Sequence, residues 1–418
     1  MAAASPPPLR IFVVGAGLGG LAAAVSLRRQ GHRVEIFESS LMNKEIGAAI
    51  TVQANAMHVL EYFDYDPKNL KGVDYFGTVK FSAVGGEGVT HLAPLPRNDL
   101  ERAGWFCHRT DLHDELKRLA MAEDGAGPPA RLNLGHEVTL CDPAAGTLTL
   151  KNGEVQQADL IIGADGIHSV IRTSVLGSVQ KALPSGISTF HCLFDASKLK
   201  GRADMEWFSE GISGGRMVVA PEEHIRMLFL FPCRRGALIN VVAYHVDDRV
   251  PDKDQDKRDW NATVAVEEVL DEFKGFHPRY LKFLELADPP ILRWQLRVLP
   301  ILPTWINGRT ALLGDAAHAT LPTLGQGAGM ALEDAAAIGC LIPLGTRRED
   351  IPARLEAYQY LRKARGEFVN RESLEQATQP AKWGLYARSK DMQEFLIGHD
   401  AVGTARKYSD NNFAPRRG

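Results

Sequence analysis

The order of apolar and polar positions near the start of the chain predicts a strand, a helix and a second strand. Residues 9–14 form a mainly apolar run that ends at Gly15, which is typical of a buried parallel strand. Residues 17–29 then carry leucine, alanine and valine at helical spacing, and Gly31 suits the end of that helix. Because residues 33–37 predict another strand, the whole segment indicates the βαβ unit of a doubly wound sheet.

Further along, strand patterns dominate the middle of the chain and helical patterns dominate its end. Strands are predicted at residues 73–89, 138–150, 159–162, 217–220, 225–231, 237–245 and 310–313. Helices are predicted at residues 110–122, 264–273 and 330–341, and over most of the C-terminal segment. Thr110 or Asp111 is the candidate N-cap of the first of these helices. The highly charged residues 247–259 predict a solvated loop.

These elements indicate an α/β fold in which a doubly wound, Rossmann-like domain is interrupted by a β-sheet domain and followed by C-terminal helices. A ligand site is expected in the crevice between the first two parts. The predicted boundaries are residues 1–75, 105–180 and 295–345 for the Rossmann-like domain, 76–104 and 181–294 for the β-rich substrate domain, and 346–418 for the helical segment.

Composition narrows the possible partners. The 418 residues are 45% hydrophobic and 24% charged, which is typical of a globular protein with a large core. The 48 basic and 51 acidic side chains nearly balance, so the net charge gives no reason to expect nucleic-acid binding. The sequence predicts neither a membrane span nor a signal peptide. The cysteines are Cys107, Cys141, Cys192, Cys233 and Cys340; their spacing excludes a CxxC metal pattern and predicts reduced, buried thiols in a cytoplasmic protein.

A glycine-rich turn joins the first predicted strand to the first predicted helix. Residues 15–20 read Gly-Ala-Gly-Leu-Gly-Gly, a GxGxxG fingerprint in which Gly15, Gly17 and Gly20 are the defining glycines. Such glycines permit a tight turn and let the backbone and the helix N-terminus approach a pyrophosphate. Glu38 ends the second strand 23 residues after Gly15, where a carboxylate can accept hydrogen bonds from a ribose. The combination predicts a dinucleotide site.

A second glycine-rich region follows the predicted strand at residues 310–313. Residues 314–318 read Gly-Asp-Ala-Ala-His, and residues 325–330 open the next helix with three glycines. Asp315, at the end of a strand, suits the hydroxyl groups of a polyol, and the helix N-terminus suits a negative charge. Two helix N-termini near one ligand indicate a long cofactor with two anionic regions.

Together these motifs resemble the FAD-dependent aromatic hydroxylases, the single-component flavoprotein monooxygenases, and most closely their salicylate hydroxylase-like branch. That family has GxGxxG near the start, an arginine on a helix, a DG pair and then GDAAHxxxP. Here Arg109 begins the helical match, Asp165 and Gly166 form the DG pair, and Pro322 completes the last motif. The resemblance extends from Ile11 to about Ala401.

The resemblance implies non-covalent FAD and assigns its contacts residue by residue. The assignments are Gly15, Gly17 and Gly20 for the pyrophosphate, Glu38 for the adenosine ribose, Ala49 for the flavin side, Arg109 for the ribityl and phosphate part, Asp165 for both FAD contact and NAD(P)H docking, Asp315 for the ribityl chain or pyrophosphate, and Gly327 and Ala328 for the pyrimidine edge of the flavin. A helix N-terminus at that edge would stabilise the charge of reduced flavin.

The resemblance also implies the reaction. NAD(P)H would bind transiently and reduce the flavin, in agreement with a single GxGxxG in the chain: the glycines at residues 84–88 are not followed by a helical pattern. O₂ would then form a hydroperoxide at flavin C4a, which hydroxylates or epoxidises a small aromatic or polyketide/terpenoid-type substrate. The implied partners are therefore this small molecule, NAD(P)H and O₂, and the protein is expected to be a monomer or homodimer.

The substrate region departs from the family pattern. Many relatives have an aromatic–arginine pair in the first strand of the substrate domain, whereas this chain has Phe190 followed by His191. The partner tyrosine found in fungal members is absent from residues 219–221. His191 is therefore a candidate catalytic residue, as a proton acceptor or a phenolate-orienting group, or a hydrogen-bonded strand histidine. Tyr244 is the second candidate; it alternates with His245 on a strand, so only one of the two faces the pocket.

Other interpretations remain open from the sequence. A flavoprotein dehydrogenase or reductase could use the same scaffold, and a non-enzymatic, FAD-stabilised binding protein would share the cofactor motifs. A flavin halogenase is disfavoured because the six tryptophans never form the W-x-W-x-I-P motif. His318 is either a base or a residue that shapes its loop, and Arg172 is either solvated or structural.

Overall fold

The structure, a computed structural model, describes residues 7–41, 48–85, 88–92, 104–209, 214–221, 224–247, 262–379, 382 and 390–413. These residues contain twenty strands. In chain order they are β1 (Arg10–Val14), β2 (Arg33–Glu38), β3 (Ala49–Gln53), β4 (Val73–Tyr75), β5 (Thr78–Ser82), β6 (Gly88–Leu92), β7 (Gly104–His108), β8 (Arg131–Leu134), β9 (Val138–Asp142), β10 (Thr147–Leu150), β11 (Val155–Gln157), β12 (Leu160–Gly163), β13 (Leu183–Asp195), β14 (Gly215–Val219), β15 (Met227–Cys233), β16 (Leu238–Val246), β17 (Ala262–Val264), β18 (Asp288–Val298), β19 (Ile306–Asn307) and β20 (Thr310–Leu312).

The same residues contain twelve α-helices, most of them in the first third and the last quarter of the chain. They are α1 (Leu18–Arg29), α2 (Ala54–Tyr62), α3 (Pro67–Leu70), α4 (Arg109–Met121), α5 (Val170–Leu176), α6 (Val266–Glu272), α7 (Pro278–Leu284), α8 (Asp315–His318), α9 (Gly327–Leu341), α10 (Ile351–Thr378), α11 (Lys390–Ile397) and α12 (Ala401–Phe413). The expected helical character of the C-terminal segment is confirmed by α10, α11 and α12.

The first large sheet has the strand order β19-β20-β12-β1-β2-β8. All neighbouring pairs in it are parallel except β19 with β20. Strand β1 is buried from Ile11 onward, because helices cover both faces of a parallel sheet. The β1–α1–β2 unit confirms the βαβ prediction, and the strands contributed by residues 160–163 and 310–312 complete a doubly wound sheet. This sheet is called the cofactor sheet below.

The second large sheet has eight strands in the order β17-β18-β13-β16-β15-β14-β5-β6, and it is called the substrate sheet below. Strand β5 joins it by pairing parallel with β14, so residues far apart in sequence form one sheet. One face packs Phe190 and Phe194 of β13 against Phe273 and Phe283 in and near α6 and α7. The opposite face is directed toward the cofactor sheet, since Val242 and Tyr244 pack against Leu321 there.

Two local predictions are wrong. Helix α4 begins at Arg109, one residue earlier than expected, and its N-cap is His108 without a side-chain hydrogen bond. Asp111 does not cap the helix because its carboxylate instead accepts hydrogen bonds from Lys71 and Arg234. The predicted helix at residues 264–273 is preceded by strand β17, whose β-branched residues pair with β18, and the helix itself covers Val266–Glu272.

Several remaining expectations can be compared with the described residues. The five cysteines are reduced and buried, as predicted. In the part of the chain that the structure describes, no helix combines the length and the apolar character that a membrane span requires. The predicted loop at residues 247–259 lies outside the described residues except for Asp247, and so do residues 86 and 87 of the glycine-rich segment 84–88.

Candidate cofactor and substrate site

Two glycines of the fingerprint are required by close packing. Gly15 has φ +98°, and its N–H donates to the Phe37 carbonyl at 2.8 Å, which fixes the turn between β1 and α1. A Cβ atom at Gly15 would lie 2.4 Å from the Ala164 carbonyl oxygen, and one at Gly20 would lie 2.0 Å from the Gly15 carbonyl oxygen. Neither position accepts a side chain, so the turn and the start of α1 are held close to β12.

Gly17 differs because a Cβ atom there would meet nothing within 4 Å. Its backbone is extended, with φ −72° and ψ −176°, and it is the N-cap of α1 without a side-chain cap. The first amides of α1 therefore have no side-chain cap, and the space beside Gly17 is open. An uncapped helix N-terminus next to a glycine that leaves room for a ligand fits a pyrophosphate group.

Glu38 lies at the end of β2 beside this turn. Its Oε2 accepts the Ala16 N–H at 2.8 Å, and its Oε1 accepts the Ser40 N–H at 2.8 Å. These bonds orient the half-buried carboxylate. Oε1 also accepts from the Ser39 hydroxyl at 3.2 Å, and a carboxylate oxygen accepts about two hydrogen bonds. Oε2, with one donor among the described residues, therefore retains capacity for a ribose hydroxyl group.

The N-terminal part of α9 lies close to the N-terminus of α1. Gln326 is its N-cap and makes no side-chain cap, and Gly327 and Ala328 in the first turn are partly exposed. Helix α9 packs closely against α1, because a Cβ atom at Gly19 would lie 3.3 Å from the Ala331 Cβ. It packs closely against the N-cap of α8 as well, because a Cβ atom at Gly314 would lie 3.1 Å from the same atom. Two uncapped helix N-termini thus lie on one side of the cofactor sheet, as the sequence indicated.

Asp315 starts the short helix α8, directly after β20. Its side chain is exposed, and it accepts no hydrogen bond from the residues that the structure describes. The carboxylate is therefore available to hydroxyl groups of a ligand lying between α1 and α9.

Replacing Asp315 by alanine should weaken FAD binding by roughly 5- to 150-fold, the range for removing one partner of a hydrogen bond that the bound cofactor would bury. The measurement is the dissociation constant of FAD, obtained by adding FAD to the apoprotein and following flavin fluorescence. Asp271→Ala is the control, because Asp271 is exposed on α6 and its carboxylate pairs with the exposed Lys274 just after that helix. Unchanged FAD affinity in Asp315→Ala would contradict this role.

Ala49 and Arg109 are brought together by strand pairing. Ala49 pairs with His108 across β3 and β7, and the Arg109 N–H donates to the Ala48 carbonyl at 2.9 Å. Arg109 is partly exposed at the start of α4. Gly47, which comes just before Ala48 and Ala49 in the sequence, lies outside the described residues.

Asp165 lies directly after Ala164, the residue that contacts Gly15. Its carboxylate accepts hydrogen bonds from the Ser169 hydroxyl at 2.6 Å, the Val170 N–H at 2.7 Å and the Ile171 N–H at 3.1 Å. Burial raises the pKa of Asp165, and these hydrogen bonds oppose that shift. The side chain therefore orients the N-terminus of α5 beside the fingerprint.

Sequence reasoning missed a buried group of charges, called the ion cluster below: Glu333 and Asp334 of α9 with Arg362 and Arg365 of α10. Arg362 contacts Glu333 Oε2 at 2.6 Å and Asp334 Oδ1 at 2.8 Å, and Arg365 contacts Glu333 Oε2 at 2.8 Å. Both carboxylates are fully buried. Burial acts to raise the pKa of each, but the charged partners outweigh it and lower both values to about 2.

The ion cluster also fixes the loop that carries Asp315. Asp334 Oδ2 accepts the Gly314 N–H at 3.1 Å and bonds to His318 Nε2 at 2.6 Å. His318 is buried against Trp305, with ring centroids 5.0 Å apart, which supports the interpretation that it shapes its loop. Arg172 is also structural, because it donates to three backbone carbonyls.

His399 extends the ion cluster toward the C-terminal helices and makes stability depend on pH. Its Nε2 bonds to Arg362 at 3.2 Å, and burial, aided by the two arginines, lowers its pKa to about 4. Between pH 6.5 and 4 the unfolded chain protonates this histidine while the folded chain does not, so stability falls as the pH falls.

Replacing His399 by glutamine should therefore reduce this pH-dependent loss of unfolding free energy by up to roughly 3 kcal/mol. Glutamine keeps an acceptor for Arg362 but does not titrate. The test compares urea unfolding at pH 7 and pH 4.5, with the exposed His224→Gln as control. An identical pH dependence in His399→Gln and the unmodified protein would refute the assignment.

The substrate-sheet face directed toward the cofactor sheet carries the features of a pocket wall. The opposite face is closely packed, whereas five apolar residues on this one remain half-exposed: Leu193, Met217, Met227, Phe229 and Trp294. An apolar surface left partly open between two sheets fits a small aromatic ligand.

His191 lies on this face. Its Nε2 is 3.1 Å from the Thr189 hydroxyl, and its ring packs on Trp294 with centroids 4.2 Å apart. Burial lowers the pKa of His191 to about 4, so the imidazole is neutral at pH 7. A neutral imidazole can accept a proton or orient a hydroxyl group.

The register of β16 against β13 shows which of Tyr244 and His245 faces the cofactor sheet. Tyr244 pairs with Thr189 and packs with Ile187, Leu321 and other apolar residues on the cofactor-facing side. His245 is on the other side, where its ring stacks on Phe190 at 4.5 Å. Burial raises the pKa of Tyr244, which keeps the phenol neutral and able to donate a hydrogen bond.

Comparisons with known proteins agree with this geometry. The model of the FAD binding domain family matches residues 9–373. Hispidin-3-hydroxylase of Neonothopanus nambi is 43% identical over 404 residues, covering 94% of both chains. Salicylate hydroxylase of Pseudomonas putida is 30% identical over 394 residues, covering 89% of this chain and 85% of that one. The solved structure of a salicylate hydroxylase substrate complex matches with a TM-score of 0.77 and 26% identity, covering 96% of this chain and 97% of that one.

This chain therefore belongs to the FAD binding domain family. Among the proteins of that family it is an FAD-dependent monooxygenase, as the resemblance in sequence indicated, and it acts on a small-molecule substrate with NAD(P)H and O₂. The dehydrogenase alternative finds no support among these relatives.

Proposed function

We propose that this enzyme hydroxylates hispidin or a compound closely similar to it. The observation that carries the proposal is the 43% identity with hispidin-3-hydroxylase over 94% of both chains. The half-exposed apolar face of the substrate sheet, with a neutral histidine among aromatic and aliphatic side chains, supports an aromatic substrate of small size.

When bound, FAD would activate O₂ so that one oxygen atom can be transferred to the substrate. We infer that Gly17 gives the pyrophosphate access to the N-terminus of α1, with Gly15 and Gly20 holding the turn. Glu38 accepts hydrogen bonds from the adenosine ribose and Asp315 from the ribityl chain. The remaining proposed contacts are Ala49 and Arg109 beside the flavin and ribityl chain, Asp165 near the fingerprint, and Gly327 and Ala328 at the N-terminus of α9.

For the substrate, we infer that His191 and Tyr244 are the catalytic residues. His191 accepts the proton of a ring hydroxyl or orients that hydroxyl, since its imidazole is neutral and close to Thr189. Tyr244 donates a hydrogen bond from a neutral phenol. The apolar side chains around them exclude water, so a poorly fitting analogue is expected to yield hydrogen peroxide instead of hydroxylated product.

The experiment is an assay of the FAD-loaded protein with hispidin, NADPH and air. Hispidin is expected to stimulate NADPH oxidation and to gain one oxygen atom, as measured by product mass. Salicylate serves as the comparison substrate, because it is the substrate named for a more distant relative. NADPH oxidation without a hydroxylated product, or a clear preference for salicylate, would overturn the proposed substrate.

We further propose that the protein is cytoplasmic and that it is a monomer or homodimer. We also propose that its domains have the boundaries predicted from the sequence. Five reduced thiols and the absence of a membrane-spanning helix from the described residues are compatible with this location. The separate apolar clusters behind the cofactor sheet and the substrate sheet support the division into domains.

A further inference from the structure

Two buried nitrogens on the cofactor-facing side of the substrate sheet have no hydrogen-bond partner among the described residues: Asn240 Nδ2 and His191 Nδ1. Asn240 is fully buried, and its Oδ1 accepts the Ala49 N–H at 3.1 Å. Leaving a buried donor unpaired costs about 1–3 kcal/mol. Because such groups are rare in folded proteins, an unpaired amide at this position points to a ligand that completes its hydrogen bonding.

The two nitrogens belong to diagonal neighbours in the sheet. His191 of β13 pairs directly with Val242 of β16, and Asn240 lies two residues before Val242 on the same face. Diagonal neighbours of this kind lie about 7–8 Å apart, and their Cβ atoms are somewhat closer. Leu193 pairs with Asn240 and lies two residues after His191 on the same face. Its side chain is partly exposed, so the face is partly open next to these two residues.

The hydrogen-bonding capacities of the two groups define what they can recognise. His191 Nδ1 donates or accepts according to the tautomer that Thr189 selects at Nε2, and a hydroxyl group satisfies either case. Asn240 Nδ2 can only donate, because the Oδ1 of the same amide already accepts from Ala49. Its partner must therefore be an acceptor oxygen, such as a carbonyl.

We propose that Asn240 is a specificity-determining residue that, together with His191, selects a ring bearing both a hydroxyl group and a second, hydrogen-bond-accepting oxygen. The hydroxyl lies at His191 and the acceptor oxygen at Asn240. This inference rests on the proposed function in one respect, that the open face of the substrate sheet is the substrate pocket. It goes beyond that function by naming Asn240 as a second polar contact and an acceptor oxygen on the ring as the group that Asn240 recognises.

The test uses two probes that differ in a carbonyl oxygen, 3-hydroxyacetophenone and 3-ethylphenol. Calorimetric titration of the FAD-loaded protein gives the dissociation constant of each without any turnover. We expect the ketone to bind at least 10-fold more tightly. Equal binding of the two phenols, or no binding of either, would overturn the inference, and this comparison needs no variant.

Asn240→Asp separates recognition from a structural role. The aspartate keeps an acceptor for the Ala49 N–H but replaces the donor with a second acceptor, so the preference for the ketone should vanish while binding of 3-ethylphenol changes little. Asn152→Asp, the same change at an exposed residue, should retain the preference. A retained preference in Asn240→Asp would also overturn the inference. Failure of hispidin hydroxylation with a normal probe preference would instead reject only the proposed substrate.

Discussion

Replacing Arg362 by methionine is expected to lower the free energy of unfolding by about 3–5 kcal/mol, the usual cost of removing one partner from a buried ion pair. Glu333 and Asp334 are both fully buried, and Arg362 contacts each of them. Methionine has a similar length but no charge, so the two carboxylates would lose the arginine they share and keep Arg365, His318 and their neutral donors. The measurement is urea unfolding of the FAD-free protein, followed by circular dichroism.

The matched control is Arg347→Met. Arg347 also contacts two acidic side chains, Glu349 and Asp350, but it is 61% exposed. Exposed pairs of this kind contribute only about 0–1 kcal/mol. A loss below about 1 kcal/mol in Arg362→Met would mean that the ion cluster does not stabilise the fold.

Replacing Gly17 by valine should weaken FAD binding by at least about 100-fold, because the side chain would fill the space through which a pyrophosphate reaches the helix N-terminus. The backbone at Gly17 is outside the left-handed region, and a Cβ atom there meets no protein atom within 4 Å. The apoprotein should therefore stay folded and lose only about 1 kcal/mol of unfolding free energy, because valine is a poorer N-cap than glycine. The measurements are the FAD dissociation constant and urea unfolding of the apoprotein.

Gly85→Val is the control for Gly17→Val. Gly85 is exposed, and the nearest atom to a Cβ there would be the Ser82 hydroxyl at 3.6 Å. This control should bind FAD normally. If Gly17→Val were purified with a full equivalent of FAD, the pyrophosphate would have to lie elsewhere.

The parts of the fold that the sequence predicts well depend on local chemistry. The β1–α1–β2 unit follows from short apolar runs and from glycines whose positions admit no side chain, such as Gly15 and Gly20. The N-cap of α4 was mispredicted because Asp111 pairs with Arg234, which is distant in sequence. A residue that suits a cap can be used elsewhere when a tertiary partner of opposite charge is available.

The substrate face and the ion cluster required the three-dimensional register. Because side chains alternate along β16, the sequence predicts that Tyr244 and His245 lie on opposite faces of the sheet. Only the packing of Tyr244 against Leu321 identifies which face is directed toward the cofactor sheet. The sequence does contain a signal for the ion cluster, since Glu333 and Asp334 interrupt an otherwise apolar helix. Buried charges need partners of opposite charge, so this pattern predicts that basic residues pack against α9. Their arginines lie about thirty residues away on α10, a pairing that sequence spacing does not reveal.

The most direct test of the central claim is the fate of oxygen from ¹⁸O₂. The FAD-loaded protein is supplied with NADPH and with whichever tested compound most stimulates NADPH oxidation, and the product is analysed by mass spectrometry. A monooxygenase places one labelled atom in the product and the other in water. Product that carries oxygen only from water, or that forms equally well without O₂, would contradict the account.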